Sequence, residues 1–328
     1  MVEAKAIRAG AAAIPILELP QQTHRINMAQ LAQGIEQACR TTGFFYLSQT
    51  SLSQASIDQA FAQAKAFFAL PAAVKLQVER SPQTNCGYVP LEAEALDPAR
   101  PDYKEAFNLG AATLNGRSPW PEAPEPSRAE IFRSEIFRST LASFYQSCIQ
   151  QIAHPLLQAV ALALDLPERF LVERHQQNFC LRLLHYPTLP PSAETADPLR
   201  AGAHTDYGSL TLLFQEPQQG GLEVLRPQTG RTPQTDWMPV PALPGKLLVN
   251  IGDALQRWTN DHWRSTPHRV LLPSAHPPRY SMALFCDPDP DVEIAPLSSQ
   301  PGTGYPPILY RDYLQSRFSA TYGQQHGQ

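Results

Sequence analysis

After about residue 178 the chain changes period. FCLRLLHY (179–186), SLTLLFQE (209–216), GLEVL (221–225), KLLVNIG (246–252), HRVLLP (268–273) and RYSMALFCD (279–287) are short apolar runs divided by Pro, Gly, Asn and Asp. Such runs predict β-strands, and the breaks between them predict turns. No stretch of helical length separates them, so the crossover helices of a parallel sheet are missing. The C-terminal half is therefore expected to close as an antiparallel sandwich or jelly roll.

Ahead of that boundary the reading is mainly helical. IPILEL (14–19) predicts a short opening strand. NMAQLAQGIEQACR (27–40) has helical spacing, with Asn27 as N-cap, Gly43 as its end, and FFYL (44–47) as a strand beyond. A helix from about Ser53 through FAQAKAFFAL stops before Pro71. Residues 80–126, rich in Pro, Gly and Asn, predict surface loop around one island, DYKEAFNLG (102–110). Ser127-Arg-Ala-Glu130 is a capping box opening a helical stretch toward Leu164, with Pro155 as a kink or break, and Asp165-Leu-Pro-Glu starts a short helix. The expected class is α+β with a β-dominated core. Its parts are a mainly helical region 1–175, a β core 176–290, and a C-terminal loop and helix 291–328, packed as one unit.

The 328 residues are enough to bury a sizeable core. A net charge of −4 with no run of Lys or Arg argues against nucleic acid and anionic membrane as partners. Five scattered cysteines without a CxxC argue against a disulfide framework or structural zinc and fit a reducing cytoplasm. No segment approaches the roughly 18–20 apolar residues that span a bilayer. No obligate protein partner is implied.

His204 and Asp206, in HTDYGSLTLL, stand at i and i+2, on one face if the segment is a strand. Two ligands at adjacent corners suit a facial metal site, but HxD alone is a weak signal that a polar strand end at the surface usually explains. Arg279 and Ser281 repeat the spacing after ten residues that separate Arg279 from His268. A guanidinium fork beside a hydroxyl suits a buried carboxylate, belonging either to a ligand or to a protein Asp or Glu.

Together these features resemble the Fe(II)- and 2-oxoglutarate-dependent oxygenases, in the branch that includes isopenicillin N synthase and the plant flavonoid and gibberellin oxygenases. IPILEL, GFFYL, LLHYP, HTDYGSLTLL, GGLEVL, VNIGDALQRWTNDHWRSTPHRV and YRDYLQSRFSATY occur in family order over most of the chain. The resemblance implies a double-stranded β-helix, a cupin-like jelly roll flanked by N-terminal helices. It implies His204, Asp206 and His268 as iron ligands, and Arg279, Ser281 and Tyr186 as contacts of 2-oxoglutarate. Fe(II), 2-oxoglutarate and O2 are the implied cofactor and cosubstrates, and a small molecule the implied substrate. Because Asp206 fills the corner that halogenating relatives leave for chloride, hydroxylation or a related oxidation is expected. Two alternatives stand beside this: an oxidase like isopenicillin N synthase that does not use 2-oxoglutarate, and a non-catalytic small-molecule-binding barrel.

The chain departs from the family in two places. Leu184-His185-Tyr186 stands where plant members carry Asn-Tyr-Tyr, and Thr259-Asn260-Asp261 replaces a Thr/Ser-Asn-Gly turn, which aspartate can still form. Related microbial oxygenases carry a similar KE-x-F segment near the substrate mouth, which makes Lys104, Glu105 and Phe107 substrate candidates; the bland reading is a solvated Lys–Glu pair. Tyr207 follows Asp206, and Phe285 shares the face of Arg279, so both are candidate pocket residues, as is Trp258 unless it only packs. His185 is expected to be packed or hydrogen-bonded and His262 solvent-facing, with His24, His154, His175, His276 and His326 at the surface. The Pro-rich segment 187–202 is expected to be a surface loop or a lid.

Overall fold

The computed structural model describes residues 14–20, 25–97, 99–122, 134–189, 199–217, 219–226, 236–272, 277–297 and 304–322. In its first half β1 (Ile16–Glu18) leads to α1 (Arg25–Thr41), β2 (Phe44–Ser48), α2 (Gln54–Phe68), the single turn α3 (Ala72–Lys75), β3 (Gly87–Val89), β4 (Glu105–Gly110) and α4 (Ala111–Leu114). Helices α5 (Ser134–Cys148) and α6 (His154–Ala163) follow. The second half holds β5 (Phe179–Tyr186), β6 (Leu199–His204), β7 (Leu210–Gln215), β8 (Leu222–Leu225), β9 (Trp237–Pro239), β10 (Leu247–Ile251), α7 (Asp253–Trp258), β11 (His268–Leu271) and β12 (Arg279–Cys286). A small pair, β13 (Glu293–Ile294) and β14 (Ile308–Leu309), precedes α8 (Tyr310–Tyr322).

An eight-stranded sheet runs β1-β2-β10-β7-β12-β5-β4-β3, and a four-stranded sheet runs β6-β11-β8-β9. All pairings are antiparallel except β1 with β2. The two sheets face each other across one apolar cluster that includes Phe44, Leu184, Ala201, Val224, Leu248 and Ala283. A second cluster fills the outer face of the large sheet, where Phe45, Phe107, Leu183, Leu212, Val249 and Leu284 pack on residues of α1, α2, α5 and α6. Strand alternation divides each strand between the two clusters: on β5, Phe179, Leu181 and Leu183 face the helices while Leu184 and Tyr186 face the small sheet. Cover on both faces explains why FFYLS and LLVNI are buried at every residue and carry no polar alternation.

Several sequence expectations change. The stretch 80–126 is not all surface loop: β3 and β4 lie within it, fully buried at the end of the large sheet. Asn27 lies inside α1 and so is not its cap. The capping box at 127–130 lies outside the described residues. Pro155 does not break the chain, since a π-helical turn, Ile149–Ala153, joins α5 to α6 and leaves Pro155 in the first turn of α6. A missing N–H is tolerated there. Asp165 turns the chain with a φ of 55°, and the short helix beyond it is a single 3-10 turn at Val172–Arg174. Of the Pro-rich segment, residues 190–198 lie outside the described residues, while 199–202 belong to β6 rather than to a loop.

Candidate active site

β6 and β11 pair with His204 directly opposite His268, and the two ring centroids are 4.3 Å apart. Asp206 completes a group whose ligand atoms all lie within 4.8 Å of one another. His204 is the last residue of its strand, and Asp206 sits beyond it, so the two do not share a strand face. The loop is instead turned inward by α7. Asp253 N–H donates to the Asp206 carbonyl at 2.8 Å, Gly252 N–H to Ser209 O at 2.9 Å, and Ala254 N–H to Gly208 O at 3.0 Å. Only a glycine permits this approach, because a Cβ at Gly252 would stand 2.3 Å from Gly208 O.

The outer partners orient all three groups toward one point. Nδ1 of His204 donates to Gly202 O (2.8 Å) and Nδ1 of His268 to Thr266 O (3.3 Å), which leaves both Nε2 lone pairs for the centre. Asp206 Oδ2 accepts from Asn250 Nδ2 (2.7 Å) and Thr211 Oγ1 (2.5 Å), while Oδ1 lies 3.8 Å from His268 Nε2. Burial, reinforced by the neighbouring His268, holds His204 well below the usual imidazole range, so it is neutral. Burial opposes ionisation of Asp206, but the two imidazoles, Asn250 and Thr211 outweigh it and keep the carboxyl below its usual range. Two imidazoles whose outer nitrogens are already engaged and a carboxylate make a donor set that fits a divalent transition metal with open positions.

Arg279 is 1% exposed at the start of β12, opposite Tyr186 on β5. Its guanidinium donates to Gly220 O (3.2 Å), Ser281 Oγ (3.1 Å) and Gln215 Oε1 (3.1 Å), and lies 4.9 Å from the Tyr186 ring centre. Among the described residues no carboxylate pairs with it. Within those residues, the structural ion pair left open by the sequence is not formed. Burial lowers its pKa against the opposing effect of Tyr186, the direction expected of a buried cation without an anion.

A cavity of about 130 Å³ opens beside His204 and Asp206, with Tyr186, Lys104, Tyr207 and Phe285 among its walls. Glu105 and Phe107 do not reach it. Phe107 is fully buried on the helix side, 4.8 Å from the Phe67 ring centre. Glu105 shares that side: it accepts from Lys75 Nζ (2.6 Å), Tyr88 OH (2.5 Å) and His185 Nδ1 (2.7 Å). Lys104 faces the opposite way, as strand alternation requires, and is held by Asp102 and Glu94. The two are buried and separately paired rather than one solvated pair. Trp258 packs in the outer core, 6.0 Å from the His175 ring centre, and not on the cavity. His185 stacks on Tyr280 at 4.5 Å, as expected of a packed histidine, and His262 is exposed. His175 is not at the surface: it is fully buried between Leu171 O (2.6 Å) and Ser209 Oγ (2.8 Å). His154 is half-buried, and His24, His276 and His326 lie outside the described residues.

Leu184 lines the cavity without a polar atom to offer. The Asn260-Asp261 turn keeps its left-handed shape, with φ of 50° and 65°. Sequence reasoning missed Asn250, Thr211, Gln215 and Asp102. Asn250 had a usable signal, a lone amide inside the apolar run LLVNI; Asp102, which accepts from Gly202 N–H at 2.8 Å across a hundred positions, had none.

Residues 14–124 match the family described as non-haem dioxygenase in morphine synthesis N-terminal, and residues 177–288 match the 2OG-Fe(II) oxygenase superfamily. The chain is 34% identical over 312 residues to the 2-oxoglutarate-dependent dioxygenase htyE of Aspergillus rugulosus, covering 86% of this chain and 90% of that protein. It is 35% identical over 281 residues to the proline hydroxylase buaE of Petromyces alliaceus, covering 81% and 84%. Among solved structures it resembles a full-length Neurospora crassa protein in complex with alpha-KG and 5-formyluracil, with a TM-score of 0.81, 30% identity, and coverage of 98% and 100%. Among the described residues no helix is long and apolar enough to cross a membrane.

Proposed function

The chain belongs to the 2-oxoglutarate- and Fe(II)-dependent oxygenase superfamily, and from that premise we propose how its own residues divide the work. Members use Fe(II), 2-oxoglutarate and O2, and this protein is a dioxygenase that couples oxidative decarboxylation of 2-oxoglutarate to oxidation of a small molecule. In our reading His204, Asp206 and His268 hold the iron. The observation that carries this is the shared aim of the three groups, each with its outer atom already engaged by Gly202, Thr266, or Asn250 and Thr211. Iron held there supplies the activation of dioxygen, with succinate and CO2 as the fate of the cosubstrate.

Arg279 and Ser281 bind the distal carboxylate of 2-oxoglutarate. Among the described residues the fork of Arg279 has no carboxylate partner, and the Ser281 hydroxyl beside it adds a donor. The Tyr186 ring lies over the guanidinium, 4.9 Å from its centre. The Phe44 ring meets His268 edge-on at 5.7 Å and closes the apolar side of the centre. Tyr207, Phe285 and Lys104 border the substrate. Hydroxylation is the favoured outcome, since Asp206 occupies the third protein corner. A cytoplasmic setting is supported by five free cysteines.

The test is anaerobic addition of Fe(II) and 2-oxoglutarate, read by the metal-to-ligand charge-transfer band, followed by oxygen and a succinate assay. His204→Ala is expected to lose iron and the band. Full retention of both would refute the ligand assignment.

A further inference from the structure

The cavity wall carries a carboxyl group that its neighbours leave unbalanced. Two of the wall's cations are matched in place: Lys104 by Asp102 and Glu94, and Arg182 by Glu94 at 2.5 Å. Asp206 belongs to the metal centre. Asp287, the residue after β12, also lines the cavity, and among the described residues no Lys, Arg or His pairs with it. It lies deep in the protein yet is not fully enclosed. Its hydrogen-bonding neighbour is the Tyr310 hydroxyl, a neutral donor that leaves the charge itself unmatched. Space has been cleared for this carboxyl: a Cβ at Gly208 would stand 1.9 Å from Asp287 Oδ1. Burial, with repulsion from Asp206, pushes Asp287 up to about 7 against the opposing effect of Tyr310. Interior charges are ordinarily matched by an opposite charge, because an unmatched one is destabilising.

We propose that Asp287 is a substrate-binding residue, and that the substrate is a small amine whose protonated nitrogen it receives. The apolar part of such a substrate would lie between Tyr207 and Phe285 on the same cavity wall. A cavity of about 130 Å³ suits a body near the size of one aromatic ring. The assignment rests on the cavity being the substrate site of the proposed oxygenase, and it adds the charge class of what enters.

The enzyme is loaded anaerobically with Fe(II) and 2-oxoglutarate at pH 8 and titrated calorimetrically with benzylamine and with benzyl alcohol. These probes match in size and differ in charge. Benzylamine is expected to bind about 10-fold or more tighter, as a charge-assisted hydrogen bond allows. In Asp287→Asn the ratio should fall to about twofold or less, with the charge-transfer band unchanged. Should that variant fail to fold, Asp287→Ser removes the same charge. A wild-type ratio near one, binding of neither probe, or a preference that survives loss of the carboxyl overturns the proposal. Loss of the band with the amine preference intact would sink the cosubstrate reading instead and leave Asp287 standing.

Discussion

Replacing Arg279 by methionine separates a ligand-binding arginine from a structural one. In the folded chain the guanidinium is 1% exposed and donates to three neutral acceptors, Gly220 O, Ser281 Oγ and Gln215 Oε1. Hydrogen bonds from a charged donor contribute about 1.5–3 kcal/mol each. Removing a cation from water into the interior costs several kcal/mol, and among the described residues no anion offsets it. The two sums are of the same size. Arg279→Met should therefore change the stability of the ligand-free protein by no more than about 2 kcal/mol in either direction.

The effect on 2-oxoglutarate should be much larger. Truncating one side of a buried, hydrogen-bonded charge pair costs about 2–5 kcal/mol, or about 30- to 5,000-fold in Kd. Stability is read by calorimetry without ligand, and affinity by anaerobic titration of the charge-transfer band. Wild type should also gain about 2.7 kcal/mol at a 2-oxoglutarate concentration of 100 Kd, a gain the variant loses at the same concentration. The opposite pattern refutes the reasoning. A variant that is destabilised by about 4 kcal/mol yet binds 2-oxoglutarate within about threefold of wild type would make Arg279 a strut.

Asn250→Ala leaves Asp206 Oδ2 with Thr211 alone, and iron affinity should fall about 10- to 100-fold in competition with a chelating dye. Phe107→Ala should lower stability by about 3–5 kcal/mol with activity per folded molecule unchanged, because the ring fills the core beside Phe67 and Phe137; a changed KM would return it to the substrate site. Burial lowers His175 to about 4, against the pull of the Leu171 carbonyl, so the unfolded chain takes up its proton first as pH falls. Stability is then independent of this group above about 6.5 and declines by about 3 kcal/mol between 6.5 and 4. Melting curves of His175→Gln across that window should fall less steeply than wild type, and equal slopes would exclude His175 as the cause.

The six C-terminal strands were legible because their polar breaks fall at the turns, and HxD, the distal His and RxS were legible because their spacing is local or familial. β4 was not, although DYKEAF stood out. Its Lys104 and Glu105 look like surface charges in one dimension, and their partners lie elsewhere in the chain: Lys75 at 30 positions for Glu105, and Glu94 together with Asp102 for Lys104. β6 was hidden for a similar reason. LRAGAH carries Arg200, which is buried 5.9 Å from the Tyr103 ring centre rather than exposed. Phe107 and Trp258 show the complementary ambiguity, since a sequence shows that an aromatic is buried but not which side of a two-faced sheet receives it.

That two-sidedness also explains how the cosubstrate end of the site is held. β5 and β12 pair so that Tyr186 stands opposite Arg279 and Leu184 opposite Ser281 on the inner face, while His185 stands opposite Tyr280 on the outer face. On the outer face the His185 and Tyr280 rings stack 7° from parallel, and Glu105 ties His185 to Lys75 and Tyr88. A slip of one residue would turn Arg279 outward into an apolar layer and break the stack and the Glu105 cluster together. Each side therefore opposes the slip that would ruin the other. Buried polar groups on the helix side thus do positional work for a site they never touch, and the residues that aim Arg279 include several that do not line the cavity beside His204.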